Sequence, residues 1–312
     1  MLNAKPHQSE SCDCQTARIT SAYFLPAVLI LNGLAFAAAY ASGASLELVV
    51  TLGGVLTFLL AWGLQRWIAL QDAWNAPHAD TKTDIASMAV LLGVVDPLLK
   101  ALGAALAVAM AAQASPVSML FPSHTPFVLQ VLLAVMLLEL LKYAAHRLHH
   151  ALPALWWLHA MHHSSQRFTA INNFRFHPLN YAINFALSVM PMLLIGIPAD
   201  VMWAYLAITQ PVLMMQHANL NLRNPWLDTL LATPRSHLWH HDADAHAGQR
   251  NFGSSVLVWD HVFGTYRSSA FTQQQPAQIG LYAGSRYPAT ASYLDQLLSM
   301  FKPECCRAGG AA

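Results

Sequence analysis

Three histidine groups carry the chemistry available to this sequence: His146-x3-His150, His159-x2-His162-His163 and His237-x2-His240-His241. Thirteen of the sixteen histidines fall between residues 146 and 261, so they mark one region rather than the whole chain. Neutral imidazole is a metal ligand at physiological pH, and residues at i, i+3 and i+4 share a helix face. Each group is therefore expected to point two or three imidazoles the same way. Packing does not account for eight histidines so arranged; a polyhistidine metal centre does. Glu139, Tyr143, His146 and His150 form one stripe at i, i+4, i+7 and i+11, and His149, which lies off it, is excluded. Two solitary histidines flank an apolar hairpin. His217 emerges from an apolar segment beside the clusters and is taken as a ninth ligand, with His177 as a supporting residue. Glu139 is an acid inside an apolar helix, an expensive placement that marks a functional candidate. It or Tyr143 could hold a ligand imidazole through its second nitrogen; alternatively Glu139 could pair with Lys142 or Arg147.

Imidazole suits Zn, Cu, Fe and Ni. Eight or nine histidines are about twice what one ion needs, since a single site usually takes roughly four ligands, so two ions are the natural count. The protease signature His-Glu-x-x-His is absent, which argues against a zinc hydrolase. The clusters contain no carboxylate either, unlike the Glu/His di-iron bundles. A haem bundle would place one axial histidine per helix, not His-x2-His-His at a helix end. The reading is a dinuclear redox centre.

The elements that must position these residues are membrane helices. The chain has 312 residues, 55% hydrophobic and 10% charged, against roughly 25% charged for soluble domains. Tyr23–Ala41 and Leu48–Gln65 are near-continuous apolar runs of spanning length. Ile85–Ala112 is longer, with an expected break at Asp96, Pro97 and Lys100, and Phe127–Leu141 leads into the first histidine group. Ala182–Ile197 and Val201–Met215 form a shorter hairpin turned at Gly196-Ile197-Pro198. The fold class is therefore all-α, a multi-pass bundle of about four spanning helices plus this hairpin, with a histidine-rich helical cap. A cleavable signal peptide is disfavoured by the polar residues ahead of the first run and by the length of that run. If the N-terminus is cytoplasmic, the outer connections are Ser42–Glu47, Gln113–Thr125 and Gly196–Asp200, none with a Lys or Arg. Fifteen of the sixteen basic residues, and every histidine group, then face the cytoplasm, as the positive-inside rule requires. The expected organisation is a disordered tail (1–22), a membrane scaffold (23–145), a catalytic region (146–267) and a C-terminal tail (268–312) whose Ala291–Phe301 could lie on the membrane surface. Trp156-Trp157 suit the membrane–water boundary. The cysteines, at 12, 14, 305 and 306, lie in the tails and are read as reduced thiols. A net charge of +1 without a basic stripe excludes nucleic acid as a partner.

These residues resemble the fatty acid hydroxylase / sterol desaturase superfamily. Glu139-x3-Tyr143-x2-His146-Arg147-x2-His150 is similar to its first box, Leu155-Trp156-x2-His159-x2-His162-His163-Ser164 to its second and Thr233-Pro234-Arg235-x-His237-x2-His240-His241 to its third. Asn251-Phe252-Gly253 and Trp259-Asp260-x2-Phe263-Gly264-Thr265-Tyr266 resemble its closing signature. The third-box region is similar to that of the alkylglycerol monooxygenase branch and of bacterial sterol desaturase-type members. The resemblance implies a non-haem di-iron site, two Fe ions, that uses O2 to hydroxylate or desaturate a C–H bond of a membrane lipid: a fatty acyl chain, sterol, ether lipid or aminolipid. It implies His146, His150, His159, His162, His163, His237, His240 and His241 as ligands, with His217 matching an extra histidine of several branches. Glu139 departs from the more common Asp. Arg147, Arg175, Arg235 and Asp260 could orient a ligand, contact a headgroup or form interfacial ion pairs. Electrons would come from a separate ferredoxin, cytochrome b5 or reductase, because no flavin or nicotinamide fingerprint is present. Short loops and abundant alanine point to a bacterial inner membrane rather than the endoplasmic reticulum. A carotenoid hydroxylase or ketolase fits the closing signature less well. A divalent-metal transporter would need polar ligands at mid-membrane, where only Asp96 and Lys100 are found, and the intact boxes speak against a degenerate, non-catalytic family member.

Overall fold

A computed structural model describes residues 8–113, 115–267 and 274–302, with side chains described from residue 15 onward. Its described elements are helical, with only two isolated β-bridges, Leu231 with Val256 and Asp242 with Ile279. The scaffold consists of α1 (Gln8–Ser42), α2 (Leu46–Leu64), the continuous pair α3 (Thr81–Val90) and α4 (Asp96–Ala112), and α5 (Phe127–Ala151). Within these, four helices are long and apolar enough to cross a membrane. At 1.5 Å per residue, about 20 residues cross a 30 Å hydrocarbon core.

Two boundaries differ from the sequence reading. α1 begins at Gln8 rather than near Tyr23; Gln8–Ala22 is polar but contains no Gly or Pro, so nothing interrupts the helix. The expected break near Asp96 is absent. α3 and α4 run on as one helix through a π turn, Leu91–Val95. That wider turn directly precedes Pro97, whose ring and missing N–H disturb regular α geometry.

The hairpin α7 (Pro178–Leu194) and α8 (Ala199–Met215) packs back into the scaffold. Leu138, Ala134 and Val131 of α5 meet Val201, Ala204 and Tyr205 of α8 in one buried cluster. Leu25 and Val28 of α1, Ala61 of α2 and Met215 of α8 form another, continued by Ala218, Leu220 and Leu222 below the hairpin. Gly196, at φ +84°, turns the hairpin tightly against Ser118, where a Cβ would collide with a backbone carbonyl. Phe121 N–H also donates to Ile195 C=O at 2.9 Å, so two of the connections read as outer lie together.

The elements that carry or surround the histidines gather at the opposite end. They are the last turn of α5, α6 (Pro153–His163), a short 3-10 turn (Ala170–Phe174), α9 (Pro225–Leu230), α10 (Pro234–His240) and α11 (Val258–Val262). Pro153 ends α5 and opens α6, because a proline N–H is not needed at a first helical turn. The C-terminal segment is not a loose tail. Residues 274–302 fold back over α6 and close with α12 (Tyr293–Leu298).

Candidate metal centre

Nine histidines form two groups. His146, His150, His159, His163 and His240 make one; His162, His217, His237 and His241 make the other. Within each, one nitrogen from every ring lies within 4.8 Å of all the others. These are the nine histidines singled out above, but they are sorted differently. The clusters were expected to aim their imidazoles together, whereas α6 and α10 each serve both groups. On α6, His159 and His163 face one group and His162 the other; on α10, His237 and His241 face one and His240 the other. Residues four apart are nearly in line on a helix and adjacent residues are about 100° apart, so each His-His pair straddles two centres. His149 stays outside both groups, its Nδ1–H donating to Ala145 C=O at 2.8 Å.

All nine are buried except His146, which is half-buried. Burial holds His159, His162, His163, His237, His240 and His241 well below the ordinary imidazole range, and neighbouring imidazoles push in the same direction. Burial alone holds His217 at about 3. These rings are neutral at physiological pH, each with one nitrogen lone pair to give.

The far sides of the rings decide where that lone pair points. His146 Nδ1–H donates to Phe252 C=O at 2.9 Å and His240 Nδ1–H to Arg250 C=O at 2.9 Å. His159 Nδ1 meets Asn180 Oδ1 at 3.2 Å, and His217 Nδ1 meets Asn172 Oδ1 at 3.1 Å. Asn172 is held in that orientation because its Nδ2 donates to Ser165 Oγ and Arg167 C=O. With protons on Nδ1 of His146, His159 and His217, their Nε2 atoms carry lone pairs: those of His146 and His159 face each other at 3.0 Å, and on the other side His217 Nε2 lies 3.0 Å from His237 Nε2. Facing lone pairs at that distance repel unless a cation lies between them. Two nitrogens bound to one ion at roughly 2.1 Å and a right angle lie about 3.0 Å apart. His150 Nε2 is also buried without a partner. The donor set fits a metal ion in each group.

Glu139 does not touch an imidazole, nor does it pair with Lys142 or Arg147. Its carboxylate, fully buried, accepts from Tyr205 O–H at 2.6 Å and from the N–H groups of Ser255 (2.8 Å) and Val256 (3.0 Å). Lys142 instead lies over the Tyr205 ring. Asp260 accepts from Phe252 N–H, Gly253 N–H and Thr265 O–H, and Thr265 meets Tyr143 O–H at 3.0 Å. Glu139, Tyr143 and Asp260 therefore act on one loop, 251–256, whose Phe252 carbonyl in turn holds His146. Two features shape that loop. Asn251 takes a left-handed φ of 51°, which Asn tolerates better than most residues, and a Cβ on Gly253 would collide with Val256 C=O and the Asp260 carboxylate.

His177 is not a supporting residue of the groups. It caps α7, accepting from Leu179 N–H at 3.1 Å and donating to Leu297 C=O. Arg175 is fully buried against Asp80 and Asp84, Arg235 donates to Asn221, and Arg147 Nη1 donates to Tyr143 O–H at 3.4 Å. The Trp156-Trp157 pair, expected at the membrane–water boundary, is buried beneath the C-terminal segment rather than exposed on the protein surface. Asn172, Asn180 and Tyr282, whose hydroxyl lies 3.3 Å from His150 Nδ1, went unseen in the sequence because no spacing links them to the boxes.

Residues 131–265 match the family model described as fatty acid hydroxylase. This stretch is a fatty acid hydroxylase domain. The chain is also 33% identical over 208 residues to the ornithine lipid hydroxylase OlsE of Rhizobium tropici, covering 65% of this chain and 62% of that protein. Alkylglycerol monooxygenases are more distant: 27% identity over 124 residues in Danio rerio and 27% over 127 in Homo sapiens, each covering 40% of this chain. The matches span 27% and 28% of those two proteins and under two thirds of OlsE. No solved structure matches. The fatty acid hydroxylase domain contains all nine clustered histidines and the Arg250 and Phe252 carbonyls that orient His240 and His146.

Proposed function

We propose that this chain is a membrane-bound, iron-dependent lipid hydroxylase with an aminolipid as its substrate. The observation that carries the reading is the sorting of nine neutral imidazoles into a five-member and a four-member group with converging lone pairs. His146, His150, His159, His163 and His240 would hold one iron, and His162, His217, His237 and His241 the other. Bound there, the metal pair would supply O2 activation, with one oxygen atom entering a substrate C–H bond and the other leaving as water, on electrons from a separate donor protein.

The chain's own residues supply the surroundings. Phe252 C=O, Arg250 C=O, Asn172 and Asn180 fix four ring orientations. Burial of the groups excludes bulk water. An open, mostly apolar groove of about 360 Å³ along α5, lined by Leu140, Tyr143, Ala144, Arg147, Leu148, Ala151 and Phe263, could take a lipid chain, with Arg147 its one cation. The aminolipid class is supported by the likeness to an ornithine lipid hydroxylase. A cytoplasmic catalytic face in a bacterial inner membrane is supported by the Lys- and Arg-free outer connections.

Mass spectrometry of lipid extracts from cells with the gene, without it, and with His162→Ala tests this reading. One lipid class should gain a single oxygen only with the intact gene. Unchanged lipids, together with substoichiometric iron in the purified protein, would sink it.

A further inference from the structure

We propose that Tyr282 is a positioning residue for the five-histidine group, delivered there by a strap formed from residues 278–301. The proposal rests on the metal reading above and lies outside the fatty acid hydroxylase domain, which ends at residue 265.

Within the five-histidine group, three rings are oriented by atoms of that domain: His146 by Phe252, His240 by Arg250 and His159 by Asn180. His150 is different. It is buried at 1% exposure between the rings of Trp156 and Phe252, so water does not reach it. Its Nε2 has no partner, and its Nδ1 meets Tyr282 Oη at 3.3 Å. Presenting a lone pair at Nε2 requires the proton on Nδ1, which then donates to the Tyr282 oxygen. Without that oxygen, Nδ1–H would be buried among aromatic carbons, an arrangement that costs the desolvation of an unpaired donor.

The strap holds Tyr282 through contacts on both sides of the centre. The Tyr282 ring stacks on Trp156 at 4.8 Å and 6°. Gly280 N–H donates to His241 C=O at 2.9 Å and Ala243 N–H to Gln278 C=O at 3.0 Å. Gly280 has φ +129°, a conformation that disfavours any side chain. Further along, Tyr287 packs edge-on against Trp157, whose Nε1–H donates to Ser299 Oγ at 2.9 Å, and His177 donates to Leu297 C=O. The paired tryptophans are thus gripped by the strap, and the same grip places one hydroxyl on one ligand of one group.

The test compares Tyr282→Phe with Tyr287→Phe in the full-length protein. Both lose a buried hydroxyl from the same strap and keep the aromatic ring, but Tyr287 bonds Gln296 and no histidine. Iron content is read by anaerobic ferrous titration and chelator release, the iron environments by Mössbauer spectroscopy, and the fold by thermal melting of the metal-free protein. Wild type and Tyr287→Phe should hold two ions. Tyr282→Phe should bind one of its two ions about 10- to 100-fold more weakly, with an altered signature for that ion alone and a melting temperature equal to that of Tyr287→Phe. If Tyr282→Phe matches Tyr287→Phe in release and spectrum, the proposal is overturned. It is overturned equally if both ions are lost together with melting temperature, which would make Tyr282 purely structural. A wild-type chain that binds no iron would sink the metal reading itself, and this proposal with it.

Discussion

His146, His159, His217 and His240 owe their orientation to oxygens on their far sides, and so the residues that matter most beyond the histidines are acceptors. Asn172 is the most exacting. Its Oδ1 takes the His217 Nδ1 proton while its Nδ2 is committed to Ser165 and Arg167. Asn172→Leu removes that acceptor and leaves His217 free to take the wrong tautomer. Metal affinity of the four-histidine group should fall about 10- to 100-fold, read by competition with a chelator, while Asn173→Leu, whose side chain bonds Leu213 C=O, should leave it unchanged. Asp228 offers a separate test by pH. Burial raises its carboxyl to about 6, only partly opposed by the Thr233 hydroxyl and Arg235. A folded-state pKa above the unfolded 3.8 gives a stabilising contribution that is complete below about pH 4 and is lost as pH rises through about 6. The shift of roughly 2 units corresponds to at most about 3 kcal/mol. Asp228→Asn should therefore raise the melting temperature at pH 7 and make no difference near pH 4; a gain that is equal at both would show that the ionised carboxyl is not what costs stability.

At the scale of elements, the 251–256 loop is suspended between α5 and α11 by two carboxylates, Glu139 accepting from the N–H groups of Ser255 and Val256 and Asp260 from those of Phe252 and Gly253. A carboxylate accepts from three donors there, whereas the glutamine isostere offers one oxygen and brings two N–H groups of its own. Glu139→Gln should cost about 3 kcal/mol, on the scale of hydrogen bonds to charged groups. It should also increase hydrogen exchange at Ser255 and Val256 before it affects α7 or α8. This tie was only half legible in the sequence. The i, i+4, i+7, i+11 stripe placed Glu139 and Tyr143 with the first histidines, and the apolar runs with their turn residues placed α2, α5 and the α7–α8 hairpin. What Glu139 accepts from lies 66, 116 and 117 residues downstream, and no periodicity connects them. The C-terminal strap was legible only at its end: Ala291–Phe301 reads as amphipathic, and its Tyr293, Leu297 and Met300 pack on the Trp156–Trp157 cluster. The stretch that carries Gly280 and Tyr282 is held by single contacts onto Trp156 and His241 that no periodicity announces. The helix across Asp96–Pro97 was misread because a π turn lets a membrane helix absorb a proline that a strict α pattern would not. The mixed aim of the His-His pairs followed from helix geometry, but which members joined which group depended on where α8 delivers His217.

For the whole molecule, the histidine groups and the hairpin turn occupy opposite ends of one bundle, which makes sidedness a single yes-or-no question. The turn at Gly196 packs on the 113–126 connection, and neither contains a Lys or Arg. Arg66, Arg167, Arg175 and Arg235 lie in connections or cap helices at the histidine end. Moving the basic end outward would reverse the charge bias that sets membrane orientation, and an external electron donor in the cytoplasm would then have no access to the site. Ala44 and Ala79, both exposed, lie in connections at the two ends. In a variant with its four native cysteines replaced by serine, Ala44→Cys should react with a membrane-impermeant maleimide on intact cells. Ala79→Cys should react only after the membrane is opened. Labelling of Ala79→Cys on intact cells, with Ala44→Cys protected, would place the metal centre outside the cytoplasm and require its reductant to be found there.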